Sequence, residues 1–119
     1  MKSTLRENHR YIGVMIMADS HIDRPLLQSM IQTSLLEKLG EIGFAKADPK
    51  LAYTGHDGTT TIIRCAHTEA ESVRAGLALI THIGYKKVHL MPVFTSGTIL
   101  KCKRALARAS GKARYGHNS

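Results

Sequence analysis

The order in which apolar periodicity switches between two and about 3.6 residues limits this chain to very few folds. Residues 11–17 alternate with period two: Ile12, Val14 and Ile16 share one face, and Tyr11, Met15 and Met17 share the other. A strand that is apolar on both sides is a central one. Leu27, Met30, Ile31, Leu35 and Leu39 then recur at helical spacing. Pro25 suits the first turn, Ser20 or Asp23 is a candidate cap, Gly40 a stop, and Glu41-Ile42-Gly43-Phe44 a turn. A short strand over 51–54 and a β-branched return strand over 59–65 flank Gly55-His56-Asp57-Gly58, a hairpin signal. Thr68-Glu69-Ala70-Glu71 has the form of a capping box. It opens a second helix that buries Val73, Leu77 and Ile80 and ends at Gly84. A fourth strand over 88–94 contains Pro92, which has no N–H for a ladder and so demands a sheet edge or a bulge. After the turn or cap Ser96-Gly97-Thr98, the residues Ile99, Cys102 and Leu106 mark one face of a third, basic helix ending near Gly111.

The order β-α-β-β-α-β is that of an α+β, ferredoxin-like or RRM-like sandwich. It has a four-stranded antiparallel sheet, strands one and three inside, and here an extra C-terminal basic helix. The 119 residues make a single domain, with a core over about residues 10–100 and a basic helix and tail over about 98–119. No apolar run is long enough for a transmembrane helix, so no membrane partner is expected. Lys2, Arg6 and Glu7 come too early for a signal peptide. Cys65 and Cys102 are therefore expected as free thiols, in a cytoplasmic protein.

Charge is distributed unevenly. Residues 1–71 hold eight Lys and Arg against nine Asp and Glu, whereas residues 72–119 hold nine Lys and Arg and no carboxylate. Forty-eight residues of one sign exceed what a solvated face needs and favour a polyanion, nucleic acid first. The candidate RNA contacts are Arg6, Arg10, Arg64, Arg74, Lys86 and Lys87, with Lys101, Lys103, Arg104, Arg108, Lys112 and Arg114 in the last helix and tail. Lys101, Arg104 and Arg108 follow at three- and four-residue spacing, forming a ridge beside the Ile99-Cys102-Leu106 stripe.

Catalytic machinery is not expected. The seven histidines include no pair at the short spacing of a structural zinc site, so no metal is assigned to the protein. The second half offers no carboxylate for acid–base work. Ser96-Gly97-Thr98 is no nucleophile elbow, and Gly40-Glu41-Ile42-Gly43 is no dinucleotide loop. The commonest RNA module of this topology stacks bases on aromatics of its two central strands. Here those strands offer only Tyr11, so the sheet is expected to meet a protein, with Met15, Met17 and Phe44 as candidates. Plain core packing is the alternative for both methionines.

Several stretches resemble one family: Leu5-Arg6 with Arg10-Tyr11-Ile12; Leu39-Gly40-Glu41-Ile42-Gly43 with Ala45-Lys46-Ala47; Ile62-Ile63-Arg64-Cys65; residues 73–80; and residues 93–99. In order and at compatible spacing, they resemble archaeal protein component 2 of ribonuclease P, which is similar to a eukaryotic ribonuclease P/MRP subunit. The resemblance implies a subunit of the endoribonuclease that removes the 5′ leader of precursor tRNA. In that family the catalyst is the RNA, which holds Mg²⁺, and no cofactor is bound by the protein. Implied partners are ribonuclease P RNA, protein component 3 in a two-plus-two heterotetramer, other ribonuclease P proteins and precursor tRNA. A generic RNA-binding or ribosome-associated domain, and a ferredoxin-like regulatory module binding a small ligand, remain as alternatives.

Overall fold

In a computed structural model, the structure describes residues 9–55 and 58–118, with side chains described as far as Ala109. The elements are β1 (His9–Ala18), α1 (Arg24–Ala47), β2 (Lys50–Thr54), β3 (Thr60–Ala66), a 3₁₀ turn (His67–Glu69), α2 (Ala70–Ala78), β4 (His82–Ile83), β5 (Lys86–Ser96) and α3 (Ile99–Asn118). The sheet is antiparallel, in the order β2-β3-β1-β5-β4. The fold is α+β and β1 is central, as expected, but the sheet has five strands rather than four.

The fifth strand arises because Gly84 does not end the second helix. That helix stops at Ala78, where the Leu79 N–H donates to the carbonyls of Gly76 and Leu77. Gly84 takes φ +64° in a two-residue turn with Tyr85, which pairs Ile83 with Lys86 and His82 with Lys87. Glycine at the first turn position matches the right-handed twist of the flanking strands. Burial of Ile80 and Ile83 holds this hairpin down.

Pro92 meets both of its conditions. Gly13 pairs with Phe94 and Val14 with Pro92, so Val93 is the extra residue of a bulge. Beyond Lys86 and Lys87, no described strand pairs with the outer side of β5.

Two other local expectations are corrected. Gly40 interrupts α1 at φ +76° and ψ 169°, but the helix resumes, and Glu41-Ile42-Gly43-Phe44 is helical rather than a turn. The helix ends at Asp48, left-handed at φ +45°, whose N–H donates to the Phe44 carbonyl at 2.8 Å. The Thr68 capping box does not form either. The chain enters α2 through the 3₁₀ turn, Glu69 occupies the cap position, and no side chain caps it. Asp23 is the cap residue of α1, also without a side-chain bond, and Pro25 lies in the first turn. In the β2–β3 turn, Gly58 is at φ +73° and its N–H donates to Gly55, while His56 and Asp57 lie outside the described residues.

Each face of the sheet carries its own core. On one face Ile12, Val14 and Ile16 pack with Leu27, Ile31 and Leu35 of α1 and Val73 and Leu77 of α2, all buried. On the other, Ile62 packs with Cys102 and Leu106 of α3, joined by half-buried Tyr11, Met15, Val93, Phe94 and Ile99. Helix α3 comes this close because Gly13 has no side chain: a Cβ there would stand 3.2 Å from Leu106 Cγ. The Cys102 thiol also donates to the Tyr11 carbonyl at 2.9 Å.

Candidate nucleic-acid interface

Helix α3 displays more of the described cations than any other element: Lys101, Lys103, Arg104 and Arg108. The Lys101 N–H donates to Thr98 Oγ1 at 3.4 Å and the Thr98 N–H to Ser96 Oγ at 3.2 Å, so Ser96-Gly97-Thr98 is a helix cap. The expected stripe faces the sheet, with Cys102 and Leu106 buried and Ile99 half-buried. Lys101, Arg104 and Arg108 are exposed, which puts the expected ridge on the outer surface. Among the described residues no carboxylate pairs with them; the ion pairs present are His21–Asp23 at 3.7 Å and Lys50–Asp48 at 3.9 Å. Three like charges on one helix face repel one another, a cost that an anion would relieve.

Lys103 stands off the ridge. Its ammonium sits 4.5 Å from the centre of the Tyr53 ring on β2, a cation–π contact that extends the positive surface over the sheet edge. Arg64 pairs with Tyr11 and with Lys50, so it belongs to the same side of the sheet as α3. Lys50 and Tyr53 were not among the sequence candidates. Nothing in a five-residue strand signals which helix crosses it.

The other candidates lie elsewhere. Arg10 and Arg74 are at one end of the sheet, on the side of α1 and α2. Arg10 donates to the His9 carbonyl at 2.9 Å, and Arg74 donates to Thr95 Oγ1 at 2.7 Å, tying α2 to β5. Lys86 and Lys87 are on the β4–β5 hairpin, where Lys86 donates to the His21 carbonyl at 2.7 Å. Lys112 and Arg114 lie on the last turns of α3, with side chains outside the described set, and Arg6 lies outside the described residues. Met15 and Met17 share the α3 side: Met15 packs under α3 and Met17 is 50% exposed. Phe44 packs against the core on the opposite face, so the structure does not bring it to the methionines.

The cysteines offer no nucleophile. Cys65 is fully buried, and that burial, with the Glu69 charge adding and Arg10 opposing, pushes its thiol up to about 11. Burial likewise raises Cys102, against hydrogen bonding with the backbone at Gly13 and Ser96. Among the described residues, no three His, Cys, Asp or Glu side chains gather to hold a metal ion.

Residues 10–107, from β1 into α3, match the Rpp14/Pop5 family. The chain belongs to the Rpp14/Pop5 family. It is 36% identical over 100 residues to ribonuclease P protein component 2 of Methanocaldococcus jannaschii, covering 84% of this chain and 73% of that one. With the component 2 of Archaeoglobus fulgidus it shares 35% identity over 101 residues, 85% of this chain and 90% of the other. A chain in the cryo-EM structure of yeast ribonuclease MRP superposes with a TM-score of 0.61 at 12% identity, covering 91% of this chain and 95% of that one. At that identity the likeness speaks for the fold. The Rpp14/Pop5 match takes in Lys101, Lys103 and Arg104 and stops just short of Arg108.

Proposed function

We propose that this chain acts as a non-catalytic protein subunit of ribonuclease P, binding and stabilising the RNA that removes the 5′ leader of precursor tRNA. The observation that carries the RNA contact is the ridge Lys101–Arg104–Arg108, held outward by a buried apolar stripe and opposed by no described carboxylate. Lysines and arginines so placed neutralise phosphate and track backbone shape rather than base identity. Arg64 and Lys103 extend the surface toward β2, and Arg10, Arg74, Lys86 and Lys87 serve as outlying contacts. Family membership and the component 2 relatives support the subunit reading.

In this reading the RNA holds the Mg²⁺ and performs the hydrolysis, and the protein binds no cofactor of its own. Its protein partners are component 3, in a two-plus-two heterotetramer, and the remaining ribonuclease P proteins, in the cytoplasm. No described helix is long and apolar enough to cross a membrane. The test is reconstitution with ribonuclease P RNA, the partner proteins and precursor tRNA. Addition of this chain is expected to raise cleavage at the 5′ site, and the protein freed of RNA is expected to cleave nothing. Correct 5′ cleavage by RNA-free protein, or an assembly indifferent to the chain, refutes the proposal.

A further inference from the structure

The end of the sheet that α3 does not cover holds the Lys87 ammonium and two imidazoles above a different kind of floor. Strand register sets Met17 against His89 and Met15 against Met91, and the β4–β5 hairpin sets His82 against Lys87. Val88 and Leu90, which alternate with Lys87, His89 and Met91, are buried in the first core, so these side chains share the α3 side. A cleft of about 450 Å³ opens here, lined by Met17, Asp19, His82, Lys87 and His89 among others. Met17 is 50% and the neighbouring Met91 36% exposed, so apolar surface adjoins the polar rim. The Thr81 hydroxyl engages His82 Nδ1 at 3.1 Å, which orients the ring and leaves Nε2 for another partner.

We propose that this cleft docks an acidic segment of a partner protein, one apolar side chain lying on the methionines and flanking carboxylates meeting Lys87, His82 and His89. The proposal rests on the reading of the chain as one subunit of a multiprotein assembly. Hydrogen-bonding chemistry selects the occupant: the Lys87 ammonium and the N–H groups of two imidazoles all donate to carboxylate oxygens, against the single carboxylate of Asp19. No residue after Glu71 supplies a carboxylate from within the chain. The floor selects protein over RNA. Unpaired bases bind by stacking on aromatic rings or guanidinium planes, whereas the cleft holds no Phe, Tyr, Trp or Arg. Methionine adapts to irregular apolar partners and is enriched in protein interfaces. Strand addition is not the docking mode, because the outer edge of β5 is interrupted by Pro92 and its bulge.

The experiment places a thiol-specific photo-crosslinker on Met17→Cys in the full reconstituted assembly. Native Cys65 and Cys102 are fully buried and do not compete. The expected product is a crosslink to a protein peptide rich in Asp and Glu. Lys87→Glu, on an exposed strand position, is expected to lower its yield about tenfold, the effect of losing about 1.4 kcal/mol. Reversing a captured carboxylate to Lys is expected to restore it. A crosslink to RNA, a crosslink to a segment without carboxylates, or a yield indifferent to Lys87→Glu overturns the proposal. If the chain fails to enter the assembly at all, the subunit reading falls with it; if it assembles and the probe lands elsewhere, only the docking proposal falls.

Discussion

The seating of α3 on the sheet depends on one pair, Gly13 and Leu106, and a double-mutant cycle reads it. A Cβ at Gly13 would lie 3.2, 3.4 and 3.5 Å from Leu106 Cγ and its two methyls. Leu106 is 3% exposed and packs with Ile62 and Cys102, beside Tyr11, Met15 and Phe94. Leu106→Ala therefore loses buried area and leaves a gap, at a cost of about 2–4 kcal/mol, the lower end applying if the outer helix settles inward. Gly13→Val drives two methyls into the leucine and costs about 1–3 kcal/mol by overpacking. A gain in strand propensity of up to about 1 kcal/mol offsets part of this. In the double variant the valine occupies the vacated space. Its loss is expected to fall short of the summed single losses by about 1–2 kcal/mol, the coupling typical of residues in contact. Urea unfolding followed by circular dichroism measures all four corners of the cycle. Losses that add within about 0.5 kcal/mol would show that the helix does not rest on Gly13.

Neutralising the ridge with Lys101→Gln, Arg104→Gln and Arg108→Gln should flatten the slope of log RNA affinity against log salt by about two to three units, and an unchanged slope removes the ridge from the interface. Cutting the chain at residue 101 is a poorer test, because it also strips Cys102 and Leu106 from the second core. Cys65 rises from its usual 9.0 to about 11 on folding, so the unfolded chain loses this proton first. Stability is then full below pH 9 and falls as the pH climbs toward 11; Cys65→Ala should flatten that fall in urea titrations, and identical pH slopes would refute the assignment. Gly40→Ala should cost about 1–3 kcal/mol, because φ +76° with ψ 169° is open to glycine almost alone; a neutral variant would mean that α1 runs unbroken.

What the sequence alone determined is what depends on neighbours within one element. Ile12, Val14 and Ile16 alternate and are buried together, Val73 and Leu77 share a helix stripe, and Ile99, Cys102 and Leu106 hold α3 inward while Lys101, Arg104 and Arg108 face out. Each of these follows from a repeat of two or about 3.6 residues. The family was legible for a related reason, since its matching stretches follow one another along the chain. Tertiary structure decided the rest. A strand of two residues, His82–Ile83, is too short to show a period, so Gly84 resembled a helix stop until its hairpin closed. Gly40 signalled an ending correctly, yet burial of Ala47 and packing of Phe44 carry the helix on. At Gly13 a missing side chain means nothing until Leu106 arrives, 93 positions later, to use the space. The cleft is the strongest case, because Met17, His82, Lys87 and His89 come from three strands and meet through register alone. A slip of one residue would turn each strand's side chains to the opposite face, and only the packing of both cores settles which register holds.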